Sequence, residues 1–290
     1  MPIRASKMHG KIKPTRRSAA KCIRPLRDPP AGRHNKDFVT MVFKKAILCT
    51  AAALTFMTAS MTQARDLLRV GTEPTFAPFE FLDTKTKAFT GYDMDLIRAV
   101  ADKAGYDVEI LNMGFDALLP ALMTSSIDVV AAGMSITPER AERVDFTTPY
   151  YQTGLSMLVR KADVEKYKTF DDLKGKAIAV QIGTTGADKA KTIEGAKVAA
   201  FNTTSEAFMA LTAGNAEAVI LDRPVIGYFL KNKPKMANSL QMQPALEDAA
   251  SFGFAVKKGN TALKDKLDAA YQSLVDSGEA KKIYDKWFAQ

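Results

Sequence analysis

The chain has 290 residues, a formal charge of +9, and only two histidines and two cysteines. Residues 1–64 hold 13 of its 41 Lys/Arg but two of its 32 Asp/Glu, so residues 65–290 carry a net charge of −2. The basic excess therefore belongs to the N-terminal segment, and the remainder gives no reason to expect nucleic-acid binding. The histidines and cysteines lie in the same segment, at His9, Cys22, His34 and Cys49. Residues 65–290 thus have no Cys/His metal site, disulfide, thiol nucleophile or histidine acid–base group, which favours a binding protein without metal or cofactor over an enzyme.

The N-terminal segment is typical of export. Residues 41–64 are predicted to be a signal peptide, because Lys44 and Lys45 precede an apolar run and small residues precede a cleavage point near Ala64. The run is shorter than the roughly 20 residues of a transmembrane helix. Residues 1–40 are basic, lack apolar periodicity and are expected to be disordered; a mis-assigned start codon is preferred over a genuine basic arm. We therefore expect a periplasmic protein.

The first half of the remaining chain alternates strands and helices. Apolar runs predict strands, and apolar residues at helical spacing predict helices, one of which holds Pro120 in its middle. In chain order the predicted elements are a strand at Leu67–Thr72, a segment at Phe76–Leu82 after a Pro-containing turn, a helix at Tyr92–Gly105, a strand at Val108–Leu111, a helix at Phe115–Met123 and a strand at Ile127–Ala132.

The pattern then repeats. The predicted elements are a strand at Ala177–Gln181, a helix at Gly186–Ile193, a strand at Val198–Phe201, a helix at Ser205–Gly214, a strand at Ala218–Leu221 and a helical segment at Ala262–Phe288 whose terminal aromatic residues should dock on a lobe. Two α/β units in series, in a mature chain of this length, predict an α/β protein with two lobes and a cleft between them. Ligands of such sheets bind beyond the carboxyl ends of the strands.

Arg140 is the first candidate binding residue. The residues before it favour the start of a helix: Thr137 is a good N-cap, Pro138 suits the first helical position and Glu139 complements the positive helix end. Arg140 does not fit this pattern, because a cation in the first turn opposes the macrodipole. Either Arg140 is exposed and pairs with a neighbouring glutamate, or it binds an anion together with Ser135 and backbone N–H groups. A guanidinium can hold a carboxylate through two parallel hydrogen bonds.

Three further features complete the candidate site. The loop Gly183–Gly186 holds Thr184 and Thr185, whose hydroxyl and amide groups either bind an anion or merely cap the following helix. Asp222 follows a buried strand, where it either caps a helix or pairs with an ammonium group, and Glu73 ends the first strand facing the same cleft.

Four phenylalanines form the aromatic set of this part of the chain. Phe79 and Phe81 are expected in the core, whereas Phe76 and Phe115 are better placed as apolar walls around a small ligand.

The assembled motifs resemble a known family. They include VGTEPTFAPFEF, GYDMDLIRAVA, LLPALMTSSIDVVAAGMSITPERAERVDFTTPYYQTG, VQIGTTG, AEAVILDRPVIGYF and IYDKWF, and the resemblance covers essentially all of residues 66–290. This order of motifs is similar to the family 3 extracellular solute-binding proteins, the polar amino-acid receptors of ABC importers, and most resembles their glutamine-binding members. The resemblance implies two α/β lobes joined by two hinge strands: 65–150 and 252–290 in one lobe, 151–251 in the other, and hinges near 149–154 and 247–252.

The resemblance also implies roles in the site. Arg140 would bind the ligand α-carboxylate with Ser135 and Thr185, and Asp222 with the Gly133 carbonyl would hold the α-ammonium group. The ligand side chain would lie between Phe76 and Phe115, with Glu73 at its far end.

Two departures bear on the choice of ligand. Glutamine receptors usually carry Asp where this chain has Glu73, and Lys where it has Gln181. The loss of that lysine makes the distal pocket more acidic, which would admit arginine, lysine or histidine, whereas Gln181 would also suit a neutral amide. Glutamine or another polar neutral amino acid is preferred here, with a cationic amino acid as the alternative.

The expected function is therefore binding of a polar amino acid by a monomer that delivers it to a membrane permease. A dehydratase acting on prephenate-like acids, with Glu73 as general acid, is the enzymatic alternative, and a sensor ectodomain is another. The pairing of Arg140 with Asp222 favours an α-amino acid and stoichiometric binding over both.

Overall fold

The computed structural model describes residues 65–289. The predicted disordered extension at 1–40, the signal peptide at 41–64 and the cleavage point near Ala64 lie outside the described residues. Within 65–289, no helix is long and apolar enough to cross a membrane.

The described part contains fourteen strands and nine α-helices, with two short 3-10 turns at Lys161–Asp163 and Phe170–Leu173. The strands are β1 (Asp66–Thr72), β2 (Thr75–Phe76), β3 (Glu80–Leu82), β4 (Phe89–Thr90), β5 (Tyr106–Asn112), β6 (Val129–Val130), β7 (Val144–Phe146), β8 (Tyr151–Arg160), β9 (Ala177–Gln181), β10 (Lys197–Phe201), β11 (Ala218–Asp222), β12 (Leu240–Met242), β13 (Glu247–Phe252) and β14 (Ala255–Lys257). The helices are α1 (Tyr92–Ala104), α2 (Phe115–Met123), α3 (Pro138–Arg143), α4 (Thr185–Thr192), α5 (Thr204–Thr212), α6 (Arg223–Asn232), α7 (Pro234–Ala237), α8 (Thr261–Asp276) and α9 (Glu279–Phe288).

Two larger sheets organise these elements, and a small three-stranded sheet, β2-β3-β4, accompanies them. The first has the order β5-β1-β6-β14-β7, in which β5, β1 and β6 are parallel and β14 is antiparallel to both β6 and β7. The second has the order β10-β9-β11-β8-β12, in which β10, β9 and β11 are parallel and β8 is antiparallel to β11. The α/β class predicted from the sequence is therefore confirmed, with parallel and antiparallel strands mixed in both larger sheets.

The chain crosses between the two larger sheets twice. It leaves the first after Phe146 and enters the second at Tyr151, then returns between Phe252 and Ala255. At this crossing β8 and β13 are antiparallel partners, with Tyr151 opposite Phe252. The lobe boundaries inferred from the sequence, and the hinges near 149–154 and 247–252, remain a prediction about where the two lobes rotate.

Three local predictions were wrong in detail. The strand expected at Ile127–Ala132 is limited to β6, because β14 hydrogen-bonds with those two residues only. The single helical segment expected at Ala262–Phe288 is two helices, because Gly278 takes a left-handed conformation (φ 76°) after α8. Phe81 is only half-buried, with its ring 5.8 Å from that of Trp287, whereas Phe79 is completely buried as expected.

The last helix docks on the first sheet's helix layer, as the terminal aromatic residues predicted. The Trp287 indole donates to an Asp95 carboxylate oxygen of α1 over 2.8 Å. The Phe288 ring lies 5.2 Å from that of Tyr92 and 4.8 Å from that of Tyr151, which begins β8. The C-terminal helix therefore packs against both α1 and the first crossing segment.

Gly91, at the start of α1, approaches the backbone of Phe79 closely, and this contact can be tested. Its φ is 130°, and an added Cβ would lie 2.1 Å from the Phe79 carbonyl oxygen. We expect Gly91→Ala to lower the free energy of unfolding by about 3 kcal/mol or more, because both backbone strain and a steric clash result. The matched control, Gly105→Ala at the other end of α1, meets nothing within 4 Å and should cost only about 1–2 kcal/mol. Urea unfolding measures both, and equal losses would contradict the proposed clash.

Candidate functional site

Arg140 is buried at the start of α3, with only 8% of its surface exposed. The Thr137 side chain accepts a hydrogen bond from the Arg140 N–H, so the predicted cap is present. The guanidinium donates from Nη1 to the Ser135 carbonyl (2.8 Å) and from Nη2 to the Gly183 carbonyl (3.0 Å). The alternative of an exposed arginine paired with a neighbouring glutamate is therefore wrong.

The guanidinium connects the two larger sheets. Ser135 follows β6 and forms an isolated bridge with Phe252, whereas Gly183 lies between β9 and α4 of the second sheet. Burial lowers the pKa of Arg140 from its ordinary value, and the negative charges of Asp188 and Asp222 oppose that shift. A buried cation whose side-chain hydrogen bonds to described residues go to backbone carbonyl oxygens is suited to bind an anion.

The Gly183–Gly186 loop presents the N-terminus of α4 to the same region. The Thr184 hydroxyl donates to the Gln181 carbonyl (2.7 Å) and accepts from the Ala187 N–H (3.2 Å). That hydroxyl therefore caps its own helix, the simpler of the two sequence interpretations. Thr185 is half-buried as the first residue of α4, where the helix dipole favours an anion.

Asp222 is the buried carboxylate at the end of β11, with 5% of its surface exposed. It occupies the N-cap position of α6 but makes no side-chain capping bond, so the helix-cap alternative does not hold. Instead the Thr153 hydroxyl of β8 donates to its Oδ1 over 2.9 Å. Burial raises the pKa of Asp222 to about 6, which means that a nearby cation would stabilise its charged form.

Glu73 lies directly after β1 and is 4% exposed. Its Oε2 accepts from the Thr75 hydroxyl (2.7 Å) and from Nε2 of Gln181 (2.8 Å), which comes from the second sheet and also donates to the Asn202 carbonyl. Burial is the main reason that the pKa of Glu73 is raised. Two predicted site residues that are 108 positions apart are thus in direct contact.

Phe76 and Phe115 are both buried and stand near these polar groups. The Arg140 guanidinium carbon lies 5.4 Å from the centre of the Phe115 ring. Gly133 has φ 51°, and an added Cβ would lie 2.7 Å from the Phe76 ring. The backbone can therefore approach this aromatic wall only because residue 133 is glycine.

Asp93 is a structural residue of the site that sequence reasoning did not single out. It is completely buried in the first turn of α1, and its Oδ2 accepts from the Gly133 N–H (2.8 Å) and the Tyr150 hydroxyl (2.5 Å). Glu80 is also buried, and the pKa of its carboxyl is raised well above the ordinary value by burial and by Asp93. A charged residue on the apolar face of a predicted helix was the available signal for Asp93.

A cavity of about 210 Å³ opens beside Arg140. Its lining includes Phe115, Asp116, Arg140, Gly183 and Asp188, so it borders both larger sheets at the guanidinium. A larger cavity of about 360 Å³ lies elsewhere, among mostly apolar residues of the segments 74–82 and 205–236. Of the predicted site residues, Arg140 and Phe115 line the smaller cavity, whereas Glu73, Asp222 and Gln181 do not.

Comparison with known proteins identifies relatives that match most of this chain. ABC transporter arginine-binding protein 1 of Escherichia coli is 32% identical over 252 residues, which cover 85% of this chain and all of the relative. An ancestral arginine-binding protein has been solved with arginine bound; it is 40% identical, covers 77% of this chain and 99% of its own, and has a TM-score of 0.73. An ancestral arginine-binding protein bound to glutamine is 38% identical, covers 79% of this chain and all of its own, and has a TM-score of 0.72.

These relatives confirm the two-lobed fold expected from the sequence, but they do not confirm the glutamine-binding branch of the resemblance. The model of the bacterial extracellular solute-binding proteins, family 3, matches residues 68–290, which is nearly all of the described chain. By that match, and by the identity with its relatives, the protein belongs to the bacterial extracellular solute-binding proteins of family 3.

Proposed function

We propose that this solute-binding protein of an amino-acid ABC transporter binds a cationic amino acid, with L-arginine as the ligand. It would act as a periplasmic monomer and deliver arginine to the membrane permease. Glutamine was preferred from the sequence, and the relatives named above favour the cationic alternative instead. The charges of the cleft support the same choice.

One end of the site suits the main-chain groups of an amino acid. The α-carboxylate would lie between the Arg140 guanidinium and the N-terminus of α4, where Ser135 and Thr185 contribute polar groups. The α-ammonium group would pair with Asp222, whose pKa stays raised by burial although the Thr153 hydroxyl and the charge of Arg140 act to lower it. These two pairings neutralise Arg140 and Asp222 and leave Glu73 for the ligand side chain.

The observation that carries the proposal is the environment of Glu73. It is buried, yet among the described residues the groups that act on its pKa are the Thr75 hydroxyl and backbone N–H, the Gln181 amide and the Glu206 carboxylate; none of these is a cation. Buried charges in proteins are normally paired. The guanidinium of arginine would supply the missing positive charge, and Phe76 and Phe115 would flank the aliphatic part of its side chain.

Glutamine remains the second candidate because Gln181 places an amide beside Glu73. An amide ligand could hydrogen-bond with both side chains, and an ancestral arginine-binding protein similar to this chain has been solved with glutamine. A neutral ligand would nevertheless leave the Glu73 charge uncompensated. We propose no catalytic role for Glu73, since Oε2 is already committed to Thr75 and Gln181.

The placement of charges explains how binding would close the cleft. Arg140 and Glu73 belong to elements of the first sheet, whereas Asp222, Gln181 and the start of α4 belong to those of the second. A ligand that pairs with both sets interacts more strongly with the closed conformation than with the open one. Its binding therefore shifts the population toward closure, which the permease can recognise.

Replacing Glu73 tests the ligand assignment. We expect Glu73→Gln to weaken L-arginine binding by about 100-fold and L-glutamine binding by less than about 5-fold, because only arginine loses a buried ion pair. Glu194→Gln, at an exposed position, removes the same charge and should change neither affinity. Isothermal titration calorimetry measures both ligands; equal losses, or wild-type protein that prefers glutamine, would contradict the proposal.

Asp222 should oppose stability while it supports binding. Because folding raises its pKa from 3.8 to about 6, its stabilising contribution is fully present below pH 3.8 and is lost as the pH rises through 6. We expect Asp222→Asn to raise the free energy of unfolding of the ligand-free protein by about 2 kcal/mol at pH 7.5, and to abolish measurable arginine binding.

Two controls accompany this experiment. Wild-type affinity should fall as the pH drops below about 6, since a protonated Asp222 cannot pair with the ligand ammonium group. Asp265→Asn, at an exposed position of α8, should affect neither stability nor binding. Calorimetric melts at pH 5 and 7.5 decide the sign, and a destabilised Asp222→Asn variant at pH 7.5 would show that the carboxylate is not a buried, uncompensated charge.

A further inference from the structure

We propose that Thr204 is an affinity-determining residue that never touches the ligand: with Thr75 it forms a latch across the cleft that stabilises the closed conformation and orients Glu73. The inference deepens the proposed function and rests on it. Thr204 is the first residue of α5 in the second sheet's helix layer, and Thr75 begins β2, 129 positions earlier in the chain.

Two donors of Thr204 reach Thr75. Its N–H donates to the Thr75 hydroxyl oxygen over 3.3 Å, and its own hydroxyl donates to the Thr75 carbonyl. Thr204 is 1% exposed, so these groups are shielded from water in this conformation. Hydrogen bonds formed only on closure add to the stability of the closed state, because the same groups are solvated when the lobes separate.

Local structure prepares Thr204 for this contact. Thr203 is the N-cap of α5 and forms a capping box with Glu206, which satisfies other N–H groups at the helix start. The N–H of Thr204 is one of the helix-terminal donors that have no partner within the helix. Its direction toward Thr75 therefore completes the hydrogen bonding of the α5 terminus through the opposite side of the cleft.

The latch continues to the ligand site. The Thr75 hydroxyl that accepts from Thr204 donates in turn to Glu73 Oε2 over 2.7 Å, and Gln181 donates to the same oxygen. Such chains of hydrogen bonds polarise and orient one another. Closure thereby holds Oε2 of Glu73 from both sides of the cleft and fixes the orientation of its carboxylate.

The Thr75–Thr204 contact differs from two other side-chain hydrogen bonds that cross the cleft between described residues. Those run from Gln181 to Glu73 and from Arg140 to the Gly183 carbonyl, and both involve proposed ligand-binding residues. Thr204 contacts neither the charged cluster nor the cavity beside Arg140. A change at Thr204 therefore alters closure while the ligand contacts stay in place.

Replacing Thr204 by valine tests the latch, because it removes the hydroxyl and keeps the side-chain shape. We expect Thr204→Val to raise the Kd for L-arginine by about 10-fold, mostly through faster dissociation, since the Thr75 carbonyl loses its partner only in the closed state. Thr204→Ser keeps the hydroxyl and should restore wild-type affinity. The melting temperature of the ligand-free protein should stay unchanged.

Thr212→Val is the matched control, because the Thr212 hydroxyl donates within α5 to the Phe208 carbonyl and not across the cleft. It should leave Kd and the dissociation rate unchanged. Wild-type Kd in Thr204→Val would overturn the latch, as would equal weakening of binding in both valine variants. A loss of ligand-free stability that accounts for the weaker binding of Thr204→Val would also overturn it, since a merely structural role predicts that result.

Hydrogen–deuterium exchange tests the latch without depending on which amino acid is the ligand. With a saturating amino-acid ligand, the peptides that contain Thr75 and Thr204 should exchange faster in Thr204→Val than in wild type, Thr204→Ser or Thr212→Val. If wild-type protein binds neither L-arginine nor L-glutamine, the proposed ligand is refuted, and the same comparison is made with the amino acid that raises the melting temperature most. Equal exchange in all four saturated proteins would overturn the latch.

Discussion

The site depends on one buried guanidinium that reaches across the cleft. Arg140 donates to carbonyl oxygens on both sides, at Ser135 and Gly183, so the two loops must approach closely for both bonds to form at once. Carbonyl dipoles only partly replace the water that a buried cation loses. The lowered pKa of Arg140 is the sign of that cost, and a ligand carboxylate would offset it.

Burial also disfavours the charged forms of the acidic residues at the cleft. Burial raises the pKa values of Asp222 and Glu73, and it also raises those of the neighbouring Asp93 and Glu80. Such a cluster destabilises the ligand-free protein and becomes favourable when a cation enters. Because the ligand neutralises these buried charges in the closed conformation, it binds that conformation more tightly than the open one.

The sequence predicted most of the elements because apolar periodicity fixes helices and strands locally, and α2 (Phe115–Met123) and β9 (Ala177–Gln181) have the predicted bounds. Arg140 was identifiable because a cation in the first turn of a helix contradicts the local electrostatics. The break at Gly278 was missed because the apolar pattern continues through it, although a glycine in a long helical segment was the available signal.

The cross-cleft partners could not be predicted. Gln181 and Glu73 are 108 positions apart, and Thr204 and Thr75 are 129 apart. Polar residues at such separations leave no periodic pattern, because their pairing depends on how two sheets meet and not on either segment alone. Only the structure, therefore, distinguishes a threonine that caps its own helix from one that spans the cleft.

The central claim is that separate charges of the cleft recognise the carboxylate, the ammonium group and the side chain of arginine. Calorimetric titration with L-arginine and with agmatine, which lacks only the carboxylate, tests it most directly. The account predicts that agmatine binds at least about 100-fold more weakly, because Arg140 then stays buried without an anion. Agmatine binding equal to that of arginine would contradict the role of Arg140 and with it the proposed orientation of the ligand.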